Sequence, residues 1–221
     1  RGKKGVDVIA STIVSMSIAF GSNLQYGYYI SVAHSETDNC SMEQLAELLE
    51  LLPRDKLVAA HNAAGFELPV AYNAFNERWE DNGWRGFIPN MVDTRIAATF
   101  EDENRPSQGL KTLTKSLFGY EQATYEQTTT KSGVVGTLTR GVVTKRYEVE
   151  DVAWETRQYK MHELNAVEVT AYGMDDSYTA GALWNYFKLF MQLDHTYEAF
   201  LRLEQKPMYL SALAYVQGIE V

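Results

Sequence analysis

The sequence has a single cysteine, Cys40, so an intramolecular disulfide and a cysteine-rich zinc site are both excluded. It has no apolar run of about 18 residues, the length a membrane-spanning helix needs. Its opening stretch, RGKKGVDVIAST, lacks the apolar core of a secretory signal. The lone thiol and the missing signal lead us to expect a reducing, cytoplasmic setting. An initiator methionine is absent as well, which makes a fragment of a longer polypeptide the expectation. Basic excess is also lacking. With 20 Lys and Arg against 29 Asp and Glu, the net charge of −9 argues against a general duplex-DNA binder. It leaves room for an enzyme that takes only a single-stranded end, stacking on bases and holding metal with carboxylates.

What is present describes one substantial globular domain. A chain of 221 residues, 45% hydrophobic and 22% charged, buries a core without help from disulfides or metal. Residues 12–20 (TIVSMSIAF) and 26–33 (YGYYISVA) read as two strands joined by a short polar turn. Ser41 followed by Gln44 forms a capping-box pattern ahead of the helical run MEQLAELLELL. A short buried strand over 57–61 precedes a helix over 67–81. NMVD reads as another strand, with Asp93 or Thr94 capping the helix RIAATF. LKTLTKSLF is an amphipathic helix that Gly119 stops.

Residues 119–160 are Thr- and Gly-rich and read as a hairpin or a mobile excursion. Asn165 and Glu168 then cap a long helix, and 204–216 form another with Pro207 in its first turn and Gly218 at its end. Strands first, with helices interspersed and following, describe a mixed sheet covered by helices.

Two stretches carry chemistry. In His61-Asn62-Ala63-Ala64-Gly65-Phe66-Glu67 an acid sits where a strand passes into a helix, the edge at which open α/β proteins build sites. Alone, Glu67 also reads as an acid favoured in a first turn by the helix dipole. In Tyr172-Gly173-Met174-Asp175-Asp176, Tyr172 and Asp176 share one helical face, so a carboxylate and a phenol lie one turn apart. Such a pair suits a metal and a water bound to it. Alone, it also reads as a solvated acidic pair beside a half-buried tyrosine. Tyr178, Trp184, Tyr186 and Phe187 read as core packing.

Taken together and in order, these elements resemble the DEDD exonucleases. His61–Glu67 is similar to their second motif, and Tyr172–Asp176 to the third motif of the DEDDy branch. Asp93-Thr94 and LKTLTKSLFGY are similar to two helices of the exonuclease domain in family A DNA polymerases, and LEQKPMYLSALAYVQGIEV resembles the segment leading into their polymerase domain. AHNAAGFEL and AYGMDDSYTAGALW are most similar to bacteriophage members. The resemblance covers roughly residues 12–118 and 160–221.

The resemblance implies an α/β fold, a ribonuclease H-like mixed sheet flanked by helices. Residues 1–195 would form the 3′→5′ exonuclease domain, with 119–160 as the hairpin or mobile insertion, and 196–221 would begin the polymerase domain of the same polypeptide. Its substrate would be the 3′ end of single-stranded DNA, with no membrane involved. Its cofactor would be two Mg²⁺ ions, with Mn²⁺ as a substitute. Glu67 and Asp176 would be metal ligands, Tyr172 would orient the attacking water, and Asn62 and Phe66 would support the motif. His61 is expected to be structural. Arg140 and Lys145, in a stretch with Lys131 and Arg146 and no acid, are expected to approach DNA or the polymerase domain; alone, the stretch also reads as a solvated basic hairpin with no partner.

Two departures stand out. The family's opening Asp-x-Glu is absent, since Asp7 is followed at that spacing by Ile9, so the first strand is expected to be missing from this chain. Glu67 also stands where aspartate is usual. Two other classes stay open: a non-catalytic domain that braces a polymerase or holds DNA, and a stand-alone DEDDy nuclease acting on RNA.

Overall fold

The computed structural model describes residues 8, 11–21, 23–53, 55–75, 90–139 and 150–217. Arg140, Lys145 and Arg146 lie outside the described residues, as do residues 76–81 of the expected second helix and Gly218. The architecture is mixed α/β. Strands β1 (Ser15–Phe20) and β2 (Tyr26–Ser31) form an antiparallel hairpin, with Ser15 opposite Ser31 and Phe20 opposite Tyr26. Strands β3 (Leu57–Ala60) and β4 (Asn90–Asp93) run parallel, Ala60 opposite Asp93. A third ladder pairs β5 (Thr130–Thr139) with β6 (Glu150–Gln158) in antiparallel fashion. Among the described residues these are three separate two-stranded ladders.

Helices α1 (Met42–Glu50) and α2 (Glu67–Phe75) precede β4; α3 (Thr94–Glu101), α4 (Leu110–Phe118) and the short α5 (Tyr125–Thr129) follow it. After β6 come the long α6 (Ala166–Leu193), α7 (Tyr197–Leu203) and α8 (Gln205–Gln217). Local chemistry explains several boundaries. Ser41 and Gln44 close a reciprocal capping box at α1, and Asn165 and Glu168 do the same at α6. Asp93 caps α3 through the Arg95 N–H, and Gly119 ends α4 at φ +66, a conformation that favours glycine.

The parallel pair lies between two core clusters. Alternate residues of a strand point to opposite faces, so Val58, Ala60 and Met91 join Leu45, Leu68, Phe75 and Met208 on one side. Leu57, Ala59 and Val92 join Leu113, Leu183, Trp184, Phe187 and Phe200 on the other. Burial on both faces is why LVAA is continuously apolar rather than alternating. Trp184 and Phe187 are thereby core residues, as the sequence suggests.

The hairpin β1–β2 rests on α6 through a stripe of small residues. A Cβ on Gly27 would come within 2.1 Å of Met174, and one on Gly173 within 2.4 Å of the Tyr29 ring. Between the glycines, Ser17 and Ser177 hydroxyls meet at 2.6 Å. This close approach fixes the register of α6, and with it the placement of Tyr172 and Asp176.

Candidate functional site

The site forms at the carboxyl ends of β3 and β4, where both strands hand over to helices. The turn between β3 and α2 is built on Asp93. One carboxylate oxygen accepts the Asn62 and Arg95 N–H groups, each at 2.8 Å, and the other accepts the Ala64 N–H at 3.3 Å. Asn62 is left-handed at φ +67, and its side-chain carbonyl accepts Arg95 Nη1 at 2.8 Å. Its backbone carbonyl accepts both the Gly65 and Phe66 N–H groups at 2.9 Å, which winds the chain into α2. His61 supports this turn: its Nδ1 lies 2.9 Å from the Thr94 hydroxyl, which reaches the Ala60 carbonyl at 3.1 Å. Burial pushes the imidazole below its usual pKa, against the opposing pull of the Asp93 charge. Phe66 points outward and is exposed.

This turn delivers Glu67 to the first residue of α2. The residue as a whole is only partly buried, yet its Oε2 atom is enclosed and has no hydrogen-bond partner. Enclosure pushes its carboxyl up to about 8; an H-bond from its own backbone opposes this, and the negative charges of Asp93 and Asp176 add to it.

Asp176 arrives on α6 with Tyr172 one turn before it. Gln122 donates from Nε2 to Asp176 Oδ1 at 3.1 Å and to the Thr179 hydroxyl at 3.0 Å, while its own carbonyl accepts Thr114 at 3.1 Å. Burial raises the Asp176 carboxyl, the Lys111 charge lowers it, Asp175 raises it and Gln122 lowers it. The Tyr172 phenol is pushed up to about 12, by burial first and by the Asp176 charge second. Lys111 holds its ammonium 4.5 Å from the Tyr172 ring centre. Asp175 turns elsewhere and accepts the exposed Tyr120 hydroxyl at 2.8 Å.

Tyr172 and Asp176 share a face of α6, the Asp176 charge acts on both Tyr172 and Glu67, and Asn62 is part of the turn that places Glu67. Phe66 does not join them. The sequence reading missed Gln122 and Lys111. Gln122 lies in a loop without periodicity, and Lys111 falls on a helix where a solvated lysine is ordinary, so neither carried a distinguishing signal.

In ligand type, Glu67 and Asp176 fit a divalent ion, and the enclosed, unpartnered Oε2 is the feature that asks for one. In number they fall short of two ions. Among the described residues no group of three His, Cys, Asp or Glu side chains is gathered to hold a metal, and all of the Asp93 contacts above serve the backbone. No family model matches the chain, and no curated protein is similar enough to be a match. Among the described residues, no helix is long and apolar enough to cross a membrane.

Proposed function

We propose that this chain is the 3′→5′ proofreading exonuclease domain of a family A DNA polymerase, acting on the 3′ end of single-stranded DNA. The observation that carries the reading is the enclosed, unpartnered carboxylate oxygen of Glu67 in the first turn of α2, which feels the charge of Asp176, a residue that shares a face of α6 with Tyr172. Two stretches far apart in the chain thus interact electrostatically, and each supplies residue types suited to metal-assisted phosphodiester hydrolysis.

In this reading Glu67 and Asp176 hold Mg²⁺, which when bound would stabilise the charge on the departing 3′-oxygen. Tyr172 stays protonated at neutral pH and offers its O–H to orient the attacking water. The water oxygen forms the new bond to phosphorus and gives its proton to solvent, the bond to the 3′-oxygen breaks and that oxygen takes a proton from solvent, and one nucleotide leaves. Gln122 sets the direction of the Asp176 carboxylate. The fold reading is ribonuclease H-like. Ladders β1–β2 and β3–β4 both pack against α6, and among the described residues they are not joined. A strand between them would complete one mixed sheet and could bring an Asp-x-Glu pair to the same end.

A second reading, a non-catalytic domain that braces a polymerase, is favoured by the shortage of carboxylates around Glu67 and Asp176. The experiment that separates the two is Mg²⁺-dependent release of 3′-terminal nucleotides from single-stranded DNA. Release supports the exonuclease; tight DNA binding without release supports the brace.

A further inference from the structure

Resting on the exonuclease reading, we propose that Lys111 is a phosphate-binding residue of this site, receiving the backbone phosphate nearest the 3′ end of a single strand that lies in the groove beside Tyr172 and Asp176. Lys111 stands in the first turn of α4, at the positive end of the helix dipole, where the dipole disfavours a cation. Its ammonium is nonetheless held in place, over the Tyr172 ring and donating to the Ala123 carbonyl. An ammonium has three donors, so two remain. Among the described residues Lys115 is paired with Glu121 at 2.6 Å and Arg105 with Glu101, whereas Lys111 has no such ion pair.

The groove beside it has a volume of about 350 Å³ and is lined by Lys111, Thr112, Lys115, Ser116, Gln122 and Thr124, with Glu121 already engaged by Lys115. That volume falls within the range of small-ligand sites, about 300–1,000 Å³. Most of its exposed lining is apolar, with the Lys111 and Lys115 ammonium groups and the hydroxyls of Thr112, Ser116 and Thr124 as the donors a backbone phosphate could take. Gln122 lines the groove and also bonds Asp176, and Lys111 lines it while holding its ammonium over the Tyr172 ring, so two residues link the groove to the α6 pair. A larger cavity of about 450 Å³ is lined by Glu101, Asp102, Glu103 and Glu204, and would repel a phosphate. In a chain of net charge −9, a strand approaching Glu67 and Asp176 needs a local cation, and Lys111 supplies it.

The test is binding of a labelled single-stranded oligo(dT), about ten nucleotides long, to the full chain in EDTA, across a range of salt concentrations. Lys111→Gln should weaken binding about tenfold and make the slope of log K against log salt shallower by about 0.7, the value for one phosphate contact on a single strand. Lys111→Arg should retain the slope. In the unaltered chain, bound oligo(dT) should also slow chemical acetylation of Lys111, a readout that does not depend on a variant folding. Unchanged affinity and slope in Lys111→Gln, or Lys111 acetylated equally fast with and without oligo(dT), would overturn the proposal, as would no binding by the unaltered chain. Lys111-dependent binding without Mg²⁺-dependent release would support the phosphate site and reject the exonuclease reading.

Discussion

The amide of Gln122, from the loop after α4, donates to the carboxylate of Asp176 on α6. The amide is buried and fully engaged, with Thr114 and Thr179 as its other partners. Gln122→Leu leaves Thr179 and one Asp176 oxygen without their donor. Each unsatisfied group costs about 1–3 kcal/mol, so a loss of at least about 2 kcal/mol is expected by urea denaturation. Nucleotide release should fall as well, because Asp176 loses its fixed direction.

Asp93 is expected to matter for stability before chemistry. Asp93→Ala removes the cap of α3, worth about 1 kcal/mol, and strips acceptors from the Asn62 and Ala64 N–H groups. A total loss of at least about 2 kcal/mol is expected. Asp93→Asn keeps one acceptor oxygen and should cost less. The urea midpoints of the two variants check the order.

Glu67 gives the protein a pH dependence of definite sign. Its folded pKa of about 8 exceeds the ordinary 4.5, so between these values the folded state holds a proton that the unfolded chain has released. Stability without metal should therefore fall as pH rises through that window. Glu67→Gln removes the effect: relative to the parent, the variant should gain stability between about pH 5 and about pH 8.5. Urea denaturation in EDTA at both pH values measures the difference. An equal offset at the two pH values would contradict the assignment.

Gly173 is a tight point between α6 and the hairpin, where a Cβ would come within 2.4 Å of the Tyr29 ring. The Tyr29 ring that a Cβ would strike cannot swing aside cheaply, because its hydroxyl lies 2.8 Å from His34 Nε2 and the His34 Nδ1–H is 2.9 Å from the Leu164 carbonyl. Gly173→Ala should destabilise the fold by about 1–3 kcal/mol, read as a lower thermal midpoint.

Much of the helical framework was legible because its signals are local. Ser41 with Gln44, Asn165 with Glu168, and Gly119 after Phe118 mark helix ends within a few residues, and the structure places helix ends there. Helix α7 was not legible. The break before it is made by His195 at φ +59, and a left-handed non-glycine leaves no mark in a sequence. For the candidate site, Glu67, Tyr172 and Asp176 stood out only through the resemblance of their two stretches to known motifs, since an acid in a first helical turn or a phenol and carboxylate one turn apart are ordinary when taken alone. Gln122 did not stand out, because its bond to Asp176 joins residues 54 apart and depends on how α4 packs on α6.

Release of 3′-terminal nucleotides from single-stranded DNA in Mg²⁺, compared between the parent chain, Asp176→Ala and Tyr172→Phe, tests the central claim most directly. Asp175 cannot replace Asp176, since it points about 100° away around the helix and is bonded to Tyr120. Release should be abolished in Asp176→Ala and reduced far less in Tyr172→Phe, which loses one hydrogen bond to water and keeps both carboxylates. The comparison is made in the intact polypeptide that carries the opening Asp-x-Glu: release by its Asp176→Ala variant at the unaltered rate, or no release by the unaltered polypeptide when it binds both Mg²⁺ and DNA, would contradict it.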